Sequence, residues 1–140
     1  MKEENFNGKE LALKSINHYF QFGESQIVKS KEYCSLSVKK GNKLALSFQT
    51  LMGWEEKADQ KRALMILEEY IKECQDQDQL SYCYFLLTIL FQDKEGQIPL
   101  DPKKYLHYLD KAVELNNMIA LHTYANIYEY GDPQLGKKKY

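Results

Sequence analysis

Three histidines are the side chains of this chain best suited to acid–base chemistry: His18, His107 and His122. A zinc or hydrolase centre would place such groups in a short motif, for example two histidines one helical turn apart with a glutamate between them. The sequence contains neither that motif, nor the glycine-flanked serine of a nucleophile elbow, nor a glycine-rich loop that could cradle phosphate. Isolated histidines on amphipathic helices are usually structural, so this pattern favours a protein that is not an enzyme.

The cysteines indicate no metal or redox site. Cys34, Cys74 and Cys83 are odd in number and form no Cys-x-x-Cys pair, which argues against both a disulfide framework and a zinc cage. A catalytic thiolate also needs a nearby base, whereas burial of a cysteine such as Cys83 in an apolar packing position would make it inert. We therefore expect no cofactor and no metal.

Charge and hydropathy exclude other classes. The 140 residues carry a net charge of −1, so the chain offers no surplus of cations to neutralise a nucleic-acid backbone. The N-terminal decapeptide is polar and lacks the apolar segment of a secretion signal, so we expect a cytoplasmic location. The longest apolar run, residues 82–91, is about half the ~20 residues that a membrane helix needs. It predicts a buried helix, and we expect no membrane partner.

Small residues recur along the chain in similar apolar surroundings. Ala12, Ala45, Cys83 and Ala120, here called the anchors, are separated by 33, 38 and 37 residues. A small residue lets two helices approach closely, as a stacked helical array requires. The anchors therefore predict one helix type that is repeated along the chain.

A second type of segment lies between the copies of the first. Residues 26–40, 60–74 and 102–116 carry apolar side chains at the spacing of one helix face. Asp101 and Pro102 stand where a cap and a first helical turn are expected. The sequence thus predicts an all-α chain of about seven helices of two alternating types.

The most regular copy spans Gly96 to Gly131, and its motif consists of Gly96, Ile98, Pro99, Asp101, Lys104, Tyr108, Lys111, Ala112, Glu114, Asn116, Asn117, Ala120, Tyr124, Tyr128 and Gly131. This motif resembles the Sel-one-like repeat family, whose members are relatives of the tetratricopeptide repeat. The other copies are degenerate, since Gln49-Thr50 and Leu87-Thr88 replace the leucine-glycine pair of the family.

The resemblance implies a short right-handed α-solenoid of antiparallel helix pairs that forms a single domain over residues 1–140. Its repeats would cover approximately residues 9–40, 43–74 and 79–116, with a closing helix at residues 118–131. Exposed terminal repeats in such an array would also allow self-association.

The same resemblance implies a scaffold or adaptor that binds a protein or peptide on a concave helical face. An immunity-type or regulatory protein that masks its partner is a further role within the family's range. Mapped from the anchors, the expected partner-binding residues are Phe48, Leu51, Trp54, Glu55, Tyr82, Phe85, Ile89, Gln92, His122, Asn126 and Glu129. Trp54 is the favoured single contact, because aromatic anchors inside a polar rim are typical of binding hot spots.

Two alternatives remain open at this point. The apolar residues of the expected strip, such as Phe48 and Phe85, could instead form ordinary core. The chain could also be an enzyme of unrecognised class whose site lies in the groove, with residues such as His18 and His122 lining the groove from opposite ends.

Overall fold

The computed structural model describes residues 5–130, of which 78% are helical and none forms a strand. The all-α prediction is confirmed. The helices are α1 Gly8–Phe22, α2 Ile27–Lys39, α3 Lys43–Met52, α4 Gln60–Glu73, α5 Gln77–Gln92, α6 Pro102–Glu114 and α7 Met118–Tyr130, with a 3-10 turn Gly23–Gln26 between α1 and α2. The predicted segments 26–40, 60–74 and 102–116 correspond to α2, α4 and α6, whereas Gly131 lies outside the described residues. None of the described helices combines the length and the apolar character needed to cross a bilayer.

Short polar side chains set the helix starts. The oxygen of an Asn or Asp side chain accepts a hydrogen bond from the backbone N–H three residues later, which satisfies one of the free amides of the first turn. This cap occurs at α1, α3, α4, α5, α6 and α7, where the capping residues are Asn7, Asn42, Asp59, Asp76, Asp101 and Asn117. The expected cap by Asp101, with Pro102 in the first turn, is confirmed.

The chain divides into two compact units, Met1–Cys74 and Gln75–Tyr140. In the first unit α1 packs along α2, α3 packs against both of them, and α4 packs against α3. In the second unit α6 packs against α5 and α7. The boundary between the units falls between the predicted second and third repeats.

Hydroxyl groups join α1 to α2 in the first unit. The Ser15 Oγ donates to the Ser30 carbonyl oxygen and the Ser30 Oγ donates to the Ser15 carbonyl oxygen, both at 2.7 Å. The Ser37 Oγ donates to the Gly8 carbonyl oxygen at 2.5 Å. Ser15, Ser30 and Ser37 are fully buried, and their small size lets the two helices approach closely while every hydroxyl keeps a partner.

The second unit is built on α5. Leu86, Leu87 and Leu90 are fully buried there, and the rings of Tyr84 and Phe91 stack on Tyr108 of α6 with centroids 6.0 and 5.8 Å apart. This packing is what the apolar run 82–91 predicted: a buried helix.

All four anchors are buried, with exposures of 1% or less. Ala12, Ala45, Cys83 and Ala120 therefore occupy packed positions, as their small size predicted. The Cys34 Sγ–H donates to the carbonyl oxygen of Ala45 at 3.3 Å, which ties α2 to the anchor of α3.

Candidate functional site

Four aromatic side chains meet at one place in the first unit: Tyr19, Phe20, Phe48 and Trp54, here called the Trp54 cluster. The Trp54 ring lies edge-on to Phe48, with centroids 5.1 Å apart, and to Tyr19 at 6.2 Å. Phe48 also contacts Tyr19 at 5.9 Å and Phe20 at 6.1 Å. These separations lie in the range in which aromatic pairs attract each other beyond simple burial, so the rings hold one another in place.

The turn after α3 positions Trp54 in this cluster. Gly53 ends α3 in the left-handed conformation, with φ of 70°. The N–H groups of Gly53 and Trp54 both donate to the carbonyl oxygen of Gln49, at 3.0 and 3.2 Å. This closure folds the chain back over the last turn of α3, which brings the Trp54 ring against Phe48.

The cluster is buried at its base and accessible at its rim. Phe48 is fully buried, while Tyr19, Phe20 and Trp54 are half-buried. The Lys31 ammonium lies 5.9 Å from the centroid of the Trp54 ring, within the range of a cation–π contact. Glu55, the next residue in the chain, is exposed. The surface therefore combines a fixed aromatic platform with a cation at its edge.

Two of the expected partner-binding residues belong instead to the core. Phe48 is 0% exposed and Phe85 is 4% exposed, so their assignment to an accessible strip is wrong. At the positions two and three residues after an anchor, Ser15, Ser47 and Leu86 are fully buried too, whereas Lys14 and Thr123 are half-buried and His122 is exposed. Ser15 is buried in α1 because its hydroxyl donates a hydrogen bond to the Ser30 carbonyl oxygen of the adjacent helix. The mapping from the anchors is therefore corrected at Phe48 and Phe85.

The remaining expected residues keep some access to solvent. Leu51, Trp54, Tyr82, Ile89 and Gln92 are half-buried, and Glu55, His122, Asn126 and Glu129 are exposed. Of the eleven residues, Phe48, Leu51, Trp54 and Glu55 belong to the first unit, and the contact between Phe48 and Trp54 joins two of them directly. The others lie in the second unit.

Tyr19 and Phe20 were missed as members of the site. The available signal is the pair itself, because adjacent residues of a helix point in directions about 100° apart, so two adjacent aromatic rings are difficult to cover with one neighbouring helix.

His18 is engaged in packing rather than directed at a site. Its Nδ1 donates to the Lys14 carbonyl oxygen at 2.8 Å. The ring makes edge contacts with Tyr33 at 5.1 Å and with Phe22 at 5.7 Å. The described part of the chain also contains no group of three or more His, Cys, Asp or Glu residues placed to hold a metal ion.

Cys34 lies too deep for nucleophilic chemistry. Burial raises the pKa of its thiol from the ordinary 9.0 to about 12, although hydrogen bonds to Ser15 and Gln49 act in the opposite direction. The Sγ–H group donates to a backbone carbonyl instead. The thiolate, which is the nucleophilic form, is therefore essentially absent at neutral pH.

A polar hollow lies between the end of α3 and the start of α4. Its lining includes Glu55, Glu56, Lys57 and Arg62. Its volume of about 130 Å³ is below the ~300–1,000 Å³ of typical small-molecule sites. The Trp54 cluster is consequently the better candidate for recognition in this unit.

Comparisons with models of known protein families, with curated proteins and with solved structures found no match.

Proposed function

We propose that this chain is a non-enzymatic protein-interaction module that binds a partner protein or peptide through the Trp54 cluster. The observation that carries the proposal is the setting of Trp54. The ring is half-buried, is fixed by Phe48 and by the hydrogen-bonded turn after α3, and has a charged rim. An aromatic side chain already held in place loses little conformational freedom when a partner covers it, which is why such residues dominate binding energy.

The architecture of the first unit supports a repeat of the Sel-one-like type. Two consecutive helical pairs, α1 with α2 and α3 with α4, are joined because α3 contacts both helices of the preceding pair. Ala12 and Ala45, the anchors of these pairs, are buried at equivalent positions. Repeats of this kind bury one face of each helix against the next pair and leave another face for partners. We therefore propose membership of that family together with the binding role.

The rim of the cluster suggests what the partner presents. Lys31 places a cation beside the Trp54 ring, and Glu55, the next residue in the chain, is exposed. Leu51, on the last turn of α3, adds a half-buried apolar side chain. A partner segment with an apolar side chain for the aromatic platform and polar groups on both sides suits this surface, as an amphipathic helix does.

The test is capture of the partner by the tagged full-length chain from its native cells, followed by identification of the bound protein. Trp54→Ala should weaken binding about 30-fold, the equivalent of the ~2 kcal/mol that defines a hot spot. Met65→Ala is the matched control, since Met65 is an apolar side chain that is 61% exposed on α4. It should leave capture unchanged. The identity of the partner would then separate an adaptor from an immunity-type role.

Circular dichroism must first show that both variants keep the helical content of the parent chain. If a folded Trp54→Ala variant retains its partner as well as Met65→Ala does, the Trp54 cluster is not the binding surface.

A further inference from the structure

The pair Asn7-Gly8, at the start of α1, carries a chemistry that the binding role does not use. Asn7 is exposed, and the following residue has no Cβ to shield its peptide nitrogen. In such a pair the backbone nitrogen of the glycine can attack the side-chain amide carbon of the asparagine. Because the pair is exposed, water and base can reach the reacting groups.

Hydrogen bonds in the first turn of α1 engage both carbonyl groups of Asn7. The Asn7 Oδ1 accepts a hydrogen bond from the Glu10 N–H at 2.8 Å, and the Asn7 carbonyl oxygen accepts one from the Leu11 N–H at 3.1 Å. The Asn7 N–H in turn donates to the Glu10 Oε1 at 3.4 Å. Ring closure requires rotation about the Cα–C bond between the two anchored carbonyl groups, so it requires that the first turn of α1 opens.

We propose that Asn7 is a site of spontaneous deamidation whose rate is set by opening of the first turn of α1. The Gly8 nitrogen bonds to the Asn7 Cγ, the bond from Cγ to the side-chain nitrogen breaks, and ammonia leaves with the proton that the Gly8 nitrogen gives up. Water then adds to one of the two carbonyl groups of the resulting succinimide and opens the ring. The products are aspartate and isoaspartate at position 7.

The two products have different consequences for α1. Aspartate keeps an oxygen that can accept from the Glu10 N–H, so the cap survives. Isoaspartate routes the main chain through the former side chain and so cannot keep it. The Gly8 carbonyl oxygen accepts a hydrogen bond from the Ser37 hydroxyl. Loss of the cap therefore also loosens the link between the start of α1 and α2.

The chain contains its own control. Asn42 caps α3 in the same way, with its Oδ1 accepting from the Ala45 N–H at 2.8 Å, but the next residue is Lys43. A lysine side chain hinders the attack that glycine permits. Asn42 should therefore remain intact under conditions that convert Asn7.

The chain is incubated at mildly alkaline pH, with and without urea. Peptide mass spectrometry then identifies each asparagine whose side-chain NH2 has been replaced by OH. Modification of Asn7 is expected to be at least tenfold faster in urea than in the folded chain. Glu10→Ala, which removes one half of the capping box, should accelerate modification in the folded chain and leave the rate in urea unchanged. An unmodified Asn7 in urea, or equal rates at Asn7 and Asn42, would overturn the assignment of the site.

Gly8→Ala tests the chemical step separately. A Cβ added at Gly8 would lie 3.4 Å from the Asn42 Cβ, an ordinary contact, so the variant should fold. It should slow modification of Asn7 in urea at least tenfold. Equal rates in the folded and unfolded chain would contradict control by the first turn of α1, even if Asn7 is the residue modified.

Discussion

Phe48 and Trp54 are aromatic residues in direct contact that differ in their access to solvent. Phe48 is fully buried and contacts three other rings, so it forms the base of the Trp54 cluster. Trp54 lies on this base and keeps part of its ring accessible. The consequence is that a substitution at Phe48 affects the fold, whereas a substitution at Trp54 is expected to act first on binding.

At the same scale, ionisation of Cys34 is expected to lower the free energy of unfolding at alkaline pH. Its thiol keeps its proton up to about pH 12 in the folded chain, whereas the unfolded thiol loses its proton above the ordinary pKa of 9.0. The unfolded state is therefore favoured increasingly as pH rises through this interval. The contribution of Cys34 to the free energy of unfolding is complete below pH 9.0 and should fall by about 1 kcal/mol per pH unit above it.

Urea denaturation of the parent chain and of Cys34→Ala between pH 8 and pH 11, about one unit below and two above the ordinary thiol pKa, measures this effect. The difference between the two curves is what matters, because all other ionisable groups are common to both proteins. A difference that stays constant across this range would show that the Cys34 thiol ionises equally in the folded and unfolded chain.

At the scale of the elements, the turn between α3 and α4 determines where Trp54 lies. Gly53 has a positive φ of 70°, and a Cβ at that position would approach the Ala58 backbone nitrogen to 2.7 Å. Real Cβ atoms essentially never come so close to another heavy atom. Glycine is thus required here both by backbone conformation and by the close approach of the returning chain.

Gly53→Ala should consequently destabilise the chain by more than Gly41→Ala. Gly41 also has a positive φ, 85°, but a Cβ there meets nothing within 4 Å, so its substitution carries only the conformational cost of about 1–2 kcal/mol. The difference between the free energies of unfolding of the two variants, measured by thermal or urea unfolding, reports the cost of the contact with Ala58. Equal losses would mean that the turn can move away from α4 without cost.

The sequence predicts the helices themselves better than it predicts the contacts between them. The starts of the helices follow from local chemistry, so Asp101 with Pro102 and the apolar stripes of α4 and α6 were predictable. The inward position of Ser15 was not, because a serine is compatible with water until the carbonyl group of Ser30 is placed beside it. The approach of Tyr19 to Trp54 likewise depends on how α1 packs against α3, which no local pattern contains.

At the scale of the whole molecule, the chain divides into two units, Met1–Cys74 and Gln75–Tyr140. The Trp54 cluster is complete within the first unit, since Tyr19, Phe20, Phe48 and Trp54 all belong to it. The accessible residues expected in the second unit are not part of this cluster: Tyr82, Ile89, Gln92, His122, Asn126 and Glu129. Binding should accordingly respond more strongly to Trp54→Ala than to Ile89→Ala.

The most direct test of the binding surface is the fluorescence of Trp54 itself. Trp54 is the only tryptophan of the chain, so its emission reports on this one side chain. When the captured partner is added and the spectrum of the partner alone is subtracted, the emission should shift to shorter wavelength, because the half-exposed ring leaves water. Formation of a complex with an unchanged Trp54 emission spectrum would contradict the account.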